Sequence, residues 1–402
     1  MKAKRFALMP KIRISAGLVF ILFICSLFVS CDSSHKDSGN THKGERYSIN
    51  PDIVTGELKA SQYTVDSILS LKIPESIIEM GVDKISLVDG RIIVLDTEVS
   101  QKLYVFDYRG NLVSEIGDRG RARNEFVGKP DDFFVDSKGI MHVFDKIGHR
   151  ILLFNEDGAF DDAIEATGFY PYSLGLTGND MYMMSFLVGH KNLNDNSESP
   201  SSLILLDKDC QNYTPLIPSA RDLYYSVSGH HFFQDNERLS YVPSLSDSVY
   251  VFKNDILEKV VSFDFGEKTL CKEMADELNI NEINSLISEN QGVIGIKRYQ
   301  ETSTLVYLEY LYNHHEVLWL LNKKNGQIVS SPRLFEGIDI YSYFILSENQ
   351  IIAYVDDKIV EGFKEFYNQP GFQENLKKSP DFIKDMLEGK IQAPALVFIT
   401  LK

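Results

Sequence analysis

Residues 92–112 (IIVLDTEVSQKLYVFDYRGNL) and residues 141–160 (MHVFDKIGHRILLFNEDGAF) follow one plan: apolar run, Asp, polar gap, apolar run, polar turn, Gly. Asp96 aligns with Asp145, Phe106 with Phe154 and Gly110 with Gly158, at offsets of 48 or 49. A fixed period of about this length belongs to propellers and solenoids. The content of the repeat chooses between them. Short runs rich in β-branched and aromatic residues, cut by Asp, Asn and Gly, are strands and not helices.

Each unit holds four such runs. The first reads KISLVD, IIVLD, KLYVF and LVSEIG, and the second FFVD, MHVFD, RILLF and AFDDAI. Three further units follow, less regular. A sixth offers YSYFILS, IIAYVD and the terminal ALVFIT, one strand short. A lone meander cannot bury both of its faces, so radial stacking is the natural solution. The missing outer strand is expected from Ser67–Ile73, ahead of the first unit. Pairing the two chain ends in one blade would remove an open edge. The expected fold is all-β: a closed six-bladed β-propeller of four-stranded antiparallel blades over residues 63–402.

The stretch from YVFDYRGNL to NEDGAF resembles NHL-type propeller repeats. SLSDSVYVFKNDILEKVVSFDFG and the terminal PALVFITLK resemble the six-bladed β-propeller lipoproteins of Bacteroides and relatives. The resemblance covers the chain beyond its N-terminal region and implies an envelope lipoprotein. It implies no particular activity. One departure stands in GRARNEF, Gly120 to Phe126, where Ala122, Arg123 and Asn124 replace the usual turn residues of the first inter-blade connection.

The N-terminus fits that address. Lys2, Lys4, Arg5, Lys11 and Arg13 precede the apolar run AGLVFILFICSLFV. The pattern is that of a signal peptide over residues 1–30, too short for a confident membrane span. LFVSC resembles a lipobox, with Phe28 where Leu is usual, and implies cleavage before an acylated Cys31. Residues 31–62 are expected to be that lipidated Cys and a flexible tether. Loss of the five N-terminal positive charges takes the net charge from −16 to −21. A chain so acidic is a poor partner for nucleic acid or for anionic lipid through charge. Attachment to the bilayer would come from the acyl chains, which places the protein in the cell envelope as an outer-membrane lipoprotein, with the side it faces left open. Cys25 leaves with the signal; Cys210 and Cys271 could pair but need not.

In a four-stranded meander, the second-to-third-strand loop and the connection to the next blade emerge on one face. The idiosyncratic segments all fall there: the loop 188–201 and helical insertions at about 267–290 and 356–393, the latter interrupted at Pro370 and Pro380. The other face carries tight turns. The elaborated face is therefore the candidate working face, unless the helices only cap blade edges.

On it lie His149, His190, His314 and His315, which could suit a metal but lack any metal-type spacing. Arg119, Arg121 and Arg123 form a basic island that could fork onto a carboxylate or phosphate, or pair with Glu125, Asp131 or Asp132. Tyr170, Tyr172, Tyr224 and Tyr225 could stack on sugars or pack between blades. Adjacent acids such as Asp131/Asp132 and Asp356/Asp357 are expected to be solvated. No Gly-x-Ser-x-Gly elbow, His-Glu-x-x-His or calcium loop is present, and no cofactor is implied.

Three functions stay open. The first is non-catalytic capture of a glycan or peptide. A propeller lyase or hydrolase is the second, and a subunit docking onto an outer-membrane transporter the third. A binder would show an exposed aromatic groove, an enzyme a cluster of buried ionisable groups at the channel mouth, and a docking subunit an apolar patch on its helices.

Overall fold

The computed structural model describes residues 43–77, 79–88, 90–190, 200–219, 226–235, 238–269, 279–289, 292–336 and 342–402. Six sheets form a closed propeller. Blades one to five span residues 84–116, 132–165, 173–218, 232–264 and 293–331. The sixth is built from Ser342–Ser347, Gln350–Val355 and Ala395–Leu401, with Tyr63–Ser70 as its outer strand. Tyr63 stands opposite Leu401 and Ser70 opposite Ala395, so the two ends of the chain close the ring as expected.

The strands are apolar on both faces because each blade is covered on both sides. In Arg91–Asp96, Ile92 and Val94 join the core shared with blade six, while Ile93 and Leu95 join the core shared with blade two. The next strand repeats the division, Tyr104 and Phe106 to one side and Leu103 and Val105 to the other. Period-two alternation thus feeds two interfaces at once. The repeated glycines have a backbone reason. Gly110 and Gly158 sit at φ +74° and +81° in equivalent third-to-fourth-strand turns, a region that disfavours side chains.

The flexible tether expected over 31–62 is corrected in its described part. Lys43–Ser48 runs parallel to Ile256–Asp264 as a fifth strand on blade four. Tyr47 stacks on Phe263 and leans on Trp319, and Ile49 is buried. The chain then crosses blade five, where the Thr55 N–H donates to Ser330 O at 3.1 Å and the Leu58 N–H to Leu334 O at 2.7 Å, before it enters blade six. Tyr47 and Ile49 supply the apolar contacts that a free tether would lack.

The insertions are helical where they are described. Helix α1 covers Ile280–Glu289 in the connection from blade four to blade five. Between the second and third strands of blade six come α2 (Asp357–Phe366), α3 (Pro370–Leu376) and α4 (Asp381–Leu387). Asp356 caps α2 by accepting the Ile359 N–H at 2.7 Å, and is therefore a structural acid. Pro370 opens α3 and Pro380 precedes α4, the interruptions expected of them. Val360, Phe382, Ile383 and Met386 are buried in the core of blades five and six, so these helices turn their apolar faces into the propeller. Among the described residues, no helix is long and apolar enough to cross a membrane.

Candidate functional site

The innermost strands enclose a central channel with two cavities. One, of about 870 Å³, is lined by residues of the first-to-second-strand turns such as Asp136, Ser137, Thr302, Ser303 and Glu348, on the plain face. The other, of about 760 Å³, opens among Thr97, Lys146, Tyr172, Ser228 and His314, on the elaborated face. Asp83, His230, Phe233 and Arg298 line both and form the floor between them. The larger cavity holds charges that are largely settled with one another: Arg238 pairs with Glu258, and Glu301 takes Lys259 at 2.7 Å as well as Lys323. The mouth on the elaborated face is the better candidate.

Behind its floor residue His230 three blades bring charges together, with Lys84 lining the larger cavity. Lys84 begins the inner strand of blade one and Asp132 that of blade two. Lys84 Nζ lies 2.9 Å from Asp132 Oδ1, donates to Phe133 O at 2.6 Å and sits over the Phe134 ring. Asp132 is 2% exposed. Its Oδ2 accepts from Ser173 Oγ at 3.3 Å and lies 3.3 Å from His230 Nδ1, ion-pair reach without the alignment of a full hydrogen bond. Desolvation, the largest influence on each, pulls Lys84 below its usual pKa and pushes Asp132 upward. Lys84 and His230 nevertheless hold the carboxyl below its usual range.

The rim carries a second contrast. Burial pushes the Asp131 carboxyl up, while burial draws the Lys146 ammonium down. The Lys146 backbone N–H donates to Asp131 Oδ2 at 2.9 Å, and its Nζ rests 4.7 Å from the Tyr172 ring centroid. Among the described residues, no salt bridge takes up either charge. Around them, Lys129 donates to Thr97 O, Lys297 pairs with Glu316, and Arg298 donates to Tyr343 O while standing 3.6 Å from Glu309.

The residues singled out in the sequence divide accordingly. Tyr172, His314 and His315 line the mouth. Tyr172 donates to Ser228 O at 2.8 Å, and its ring lies against both His231 and Lys146, so it is no free stacking platform. His149 is a loop residue at φ +52° whose Nδ1 meets Phe169 O at 3.0 Å; Tyr170 packs edge-on against it and does not line the cavity. The Arg island is exposed and also lies off the cavity. Arg119 bonds Gln101 and Arg123 pairs with Asp162, in place of Glu125, Asp131 or Asp132. Arg121 is exposed too. His190 ends a strand, but its side chain, Tyr224, Tyr225, Cys271 and Cys31 lie outside the described residues. Cys210 is a buried free thiol.

Asp131 and Asp132 are corrected. Asp132 is a buried strand residue and Asp131 is half-buried, because the inner strand of blade two starts at the second of them. Lys84, Lys146, His230 and Arg298 went unforeseen as site residues. A signal was available: Lys84 and Asp132 are 48 residues apart, at the same repeat position with opposite charge.

Residues 67–385 match the family described as a domain of unknown function, DUF4934, and the chain belongs to it. No curated protein matches it in sequence. The crystal structure of a candidate exported protein from Bacteroides fragilis is similar over 90% of this chain and 100% of that one, at 17% identity and a TM-score of 0.69. A DUF4221 family member from Bacteroides vulgatus is similar over 86% and 99%, at 13% identity and a TM-score of 0.47. Virginiamycin B lyase from Staphylococcus aureus is similar over 74% and 86%, at 10% identity and a TM-score of 0.37. The first likeness speaks for the propeller fold, and the other two are too distant to argue from.

Proposed function

We propose that this member of the DUF4934 family is an envelope lipoprotein, anchored through Cys31, that captures a short peptide in the channel mouth of its elaborated face. The N-terminal basic, apolar and Cys sequence supports the address, and the fold-relative from Bacteroides fragilis agrees with it. One observation carries the ligand class. Lys146 and Asp131 present opposite charges at one rim with no salt bridge among the described residues, which suits a molecule bearing both signs. A neutral glycan is less well served, because the Tyr172 ring already packs against His231 and Lys146. Docking onto a transporter finds less support, since Val360 of α2 and Phe382, Ile383 and Met386 of α4 are buried in the propeller, although Phe366 of α2 is exposed.

The test is a thermal-shift screen of the purified protein against short peptides, neutral oligosaccharides and acidic oligosaccharides. A ligand at 100 times its Kd stabilises by about 2.7 kcal/mol, which is readily seen. Peptide shifts that vanish in Lys146→Ala and Asp131→Asn support the reading. A response to neutral sugars alone, unchanged in both variants, would move the site elsewhere.

A further inference from the structure

Two adjacent histidines at the floor of the mouth have opposite environments. His231 is fully enclosed: its Nδ1 faces Ser185 Oγ at 3.0 Å, and its Nε2 faces Ser226 Oγ at 2.9 Å and Ser244 Oγ at 3.2 Å. Its hydrogen bonds are all spent inside. His230 lines both cavities, and its Nδ1 side is turned to the buried Asp132 carboxylate. In an imidazole the two nitrogens lie on opposite edges of the ring, so the Nε2 edge is the one left toward open space. We propose that His230 is a reactive centre of the mouth, with Nε2 acting as nucleophile and base toward an acyl carbon held there, and that Asp132 and Lys84 are its positioning residues.

The surroundings suit that role. The backbone at His230 is clamped, because its N–H donates to Ser228 Oγ at 3.2 Å and its carbonyl accepts from the same hydroxyl. Ser228 is tied in turn to Tyr172. The carboxylate behind Nδ1 favours the tautomer with the proton on Nδ1 and the lone pair on Nε2. A buried ion pair such as Lys84–Asp132 is poor value as a stabiliser, since apolar residues of similar volume often serve a blade interface as well or better. Its placement against His230 gives it a second use.

The step balances without any redox partner. Nε2 attacks the acyl carbon of an activated ester, the ester C–O bond breaks, and the phenolate departs with the bonding pair. The acyl-imidazolium keeps its Nδ1 proton on the side of the Asp132 carboxylate. A water adds to the acyl carbon, the C–N bond breaks with its electron pair returning to Nε2, and both protons of that water pass to solvent, leaving a free carboxylate and the neutral imidazole. Substrates of this class are small acyl compounds, esters or activated amides that the mouth admits.

The inference rests on the reading of the mouth as the working site, and its test needs no natural ligand. The probe is p-nitrophenyl acetate, hydrolysed by the full chain across a pH range. His230→Gln is expected to lower the rate about tenfold or more at an unchanged melting temperature. His149→Asn, a change outside the mouth, should leave it unaltered. Asp132→Asn should lower it too, through kcat with KM little changed, and Asp132→Glu should restore part of the loss, as a merely structural role would not require. Equal rates in wild type and His230→Gln, with peptide shifts intact, would overturn the reactive centre and leave the binding reading standing. A rate lost in His230→Gln, with no peptide shift anywhere, would do the reverse. Should His230→Gln fail to fold, diethylpyrocarbonate labelling of the wild type serves instead. Carbethoxylation mapped to His230 supports the inference, and labelling of His314 and His315 with His230 untouched sinks it.

Discussion

Asp96 and Asp145 stand 49 residues apart and hold the same loop in successive blades, each as a fully buried carboxylate wrapped by backbone N–H groups. Asp96 accepts from Gly81, Val99 and Ser100 N–H at 2.8 Å, and from Ser100 Oγ at 2.6 Å. Asp145 accepts from Val127 and Gly148 N–H at 2.9 Å and from Arg150 Nε at 3.2 Å. Each therefore joins its own second-to-third-strand loop to the chain entering its blade.

Removing either acceptor strands several buried donors, so Asp96→Ala should cost about 2–4 kcal/mol. Desolvation, the largest influence, raises the Asp96 pKa, yet its hydrogen bonds together hold it low. The stabilisation is thus present above the unfolded carboxyl pKa and fades as pH falls through the folded one. Urea unfolding at pH 7 and pH 3 should show the gap between wild type and Asp96→Ala narrowing in acid. A gap independent of pH would mean that lost packing, and not the ionised acceptor, sets the cost.

A second pH dependence comes from His231, whose pKa burial draws down to about 3. The folded state keeps it neutral while the unfolded chain binds a proton below about pH 6.5. The unfolded state then holds more protons, so stability falls as pH falls from about 6.5 toward 3. The expected loss between pH 7 and pH 4 is about 3 kcal/mol, an onset earlier than carboxylate titration would give. His231→Gln should flatten that slope in urea titrations at pH 7, 6 and 5, whatever its own cost. An unchanged slope would place the acid sensitivity elsewhere.

Much of this architecture was legible because the repeat states both the strand plan and its punctuation. The period, the glycines at positive φ, the closing outer strand and the proline breaks around α3 are all written locally. What escaped was set by the ring. Nothing near Lys84 in sequence announces Asp132, and neither announces His230, because their meeting depends on how blades one, two and four converge on the axis. The arginines that stood out in sequence are exposed, and His149 and Tyr170 pack against each other off the cavity. Lys84 and Asp132 begin innermost strands, where they looked like ordinary strand boundaries. The N-terminal strand escaped for a related reason: its six residues carry little apolar pattern, and pairing gives them order.

Breaking the Lys84–Asp132 pair should be far worse than removing it. Lys84→Met leaves the buried Asp132 carboxylate with only His230 and Ser173 beside it and should cost about 3–5 kcal/mol. The double variant Lys84→Met with Asp132→Leu should recover most of that loss, as seen by denaturant midpoints. Additive losses would show that the two side chains are stabilised independently, through Phe134 and Ser173 for instance, and not by each other.

His314 occupies a place that a tight hairpin reserves for glycine. Asn313 and His314 lie at φ +48° and +63° between strands Leu305–Tyr312 and His315–Asn322, the pattern of a two-residue turn in which Asn-Gly is favoured. A His there strains the turn while placing an imidazole on the mouth. His314→Gly should raise stability by about 0.5–1 kcal/mol and weaken any peptide response. A more stable variant with full binding would show that the ring has no part in the ligand site.

The N-terminal strand gives the fold a built-in optical reporter. Trp319 is the one tryptophan of the chain and is buried, with the Tyr47 ring centroid 5.6 Å from its own and Phe263 edge-on to it at 6.4 Å. Tyr47 reaches it only while Lys43–Ser48 is paired along blade four, where Lys259 also joins Glu45 at 3.0 Å and Glu301 at 2.7 Å. Losing the strand would bare the edge of Ile256–Asp264 and uncover one side of the indole. A chain lacking residues 43–48 should therefore show red-shifted tryptophan emission, faster acrylamide quenching and a stability lower by about 2–4 kcal/mol. Tyr47→Ala should reproduce the spectral change with a smaller loss of stability, because the backbone pairing survives. Emission unaltered in both would mean that the strand rests on blade four without sealing it, and that the blade is complete with four strands.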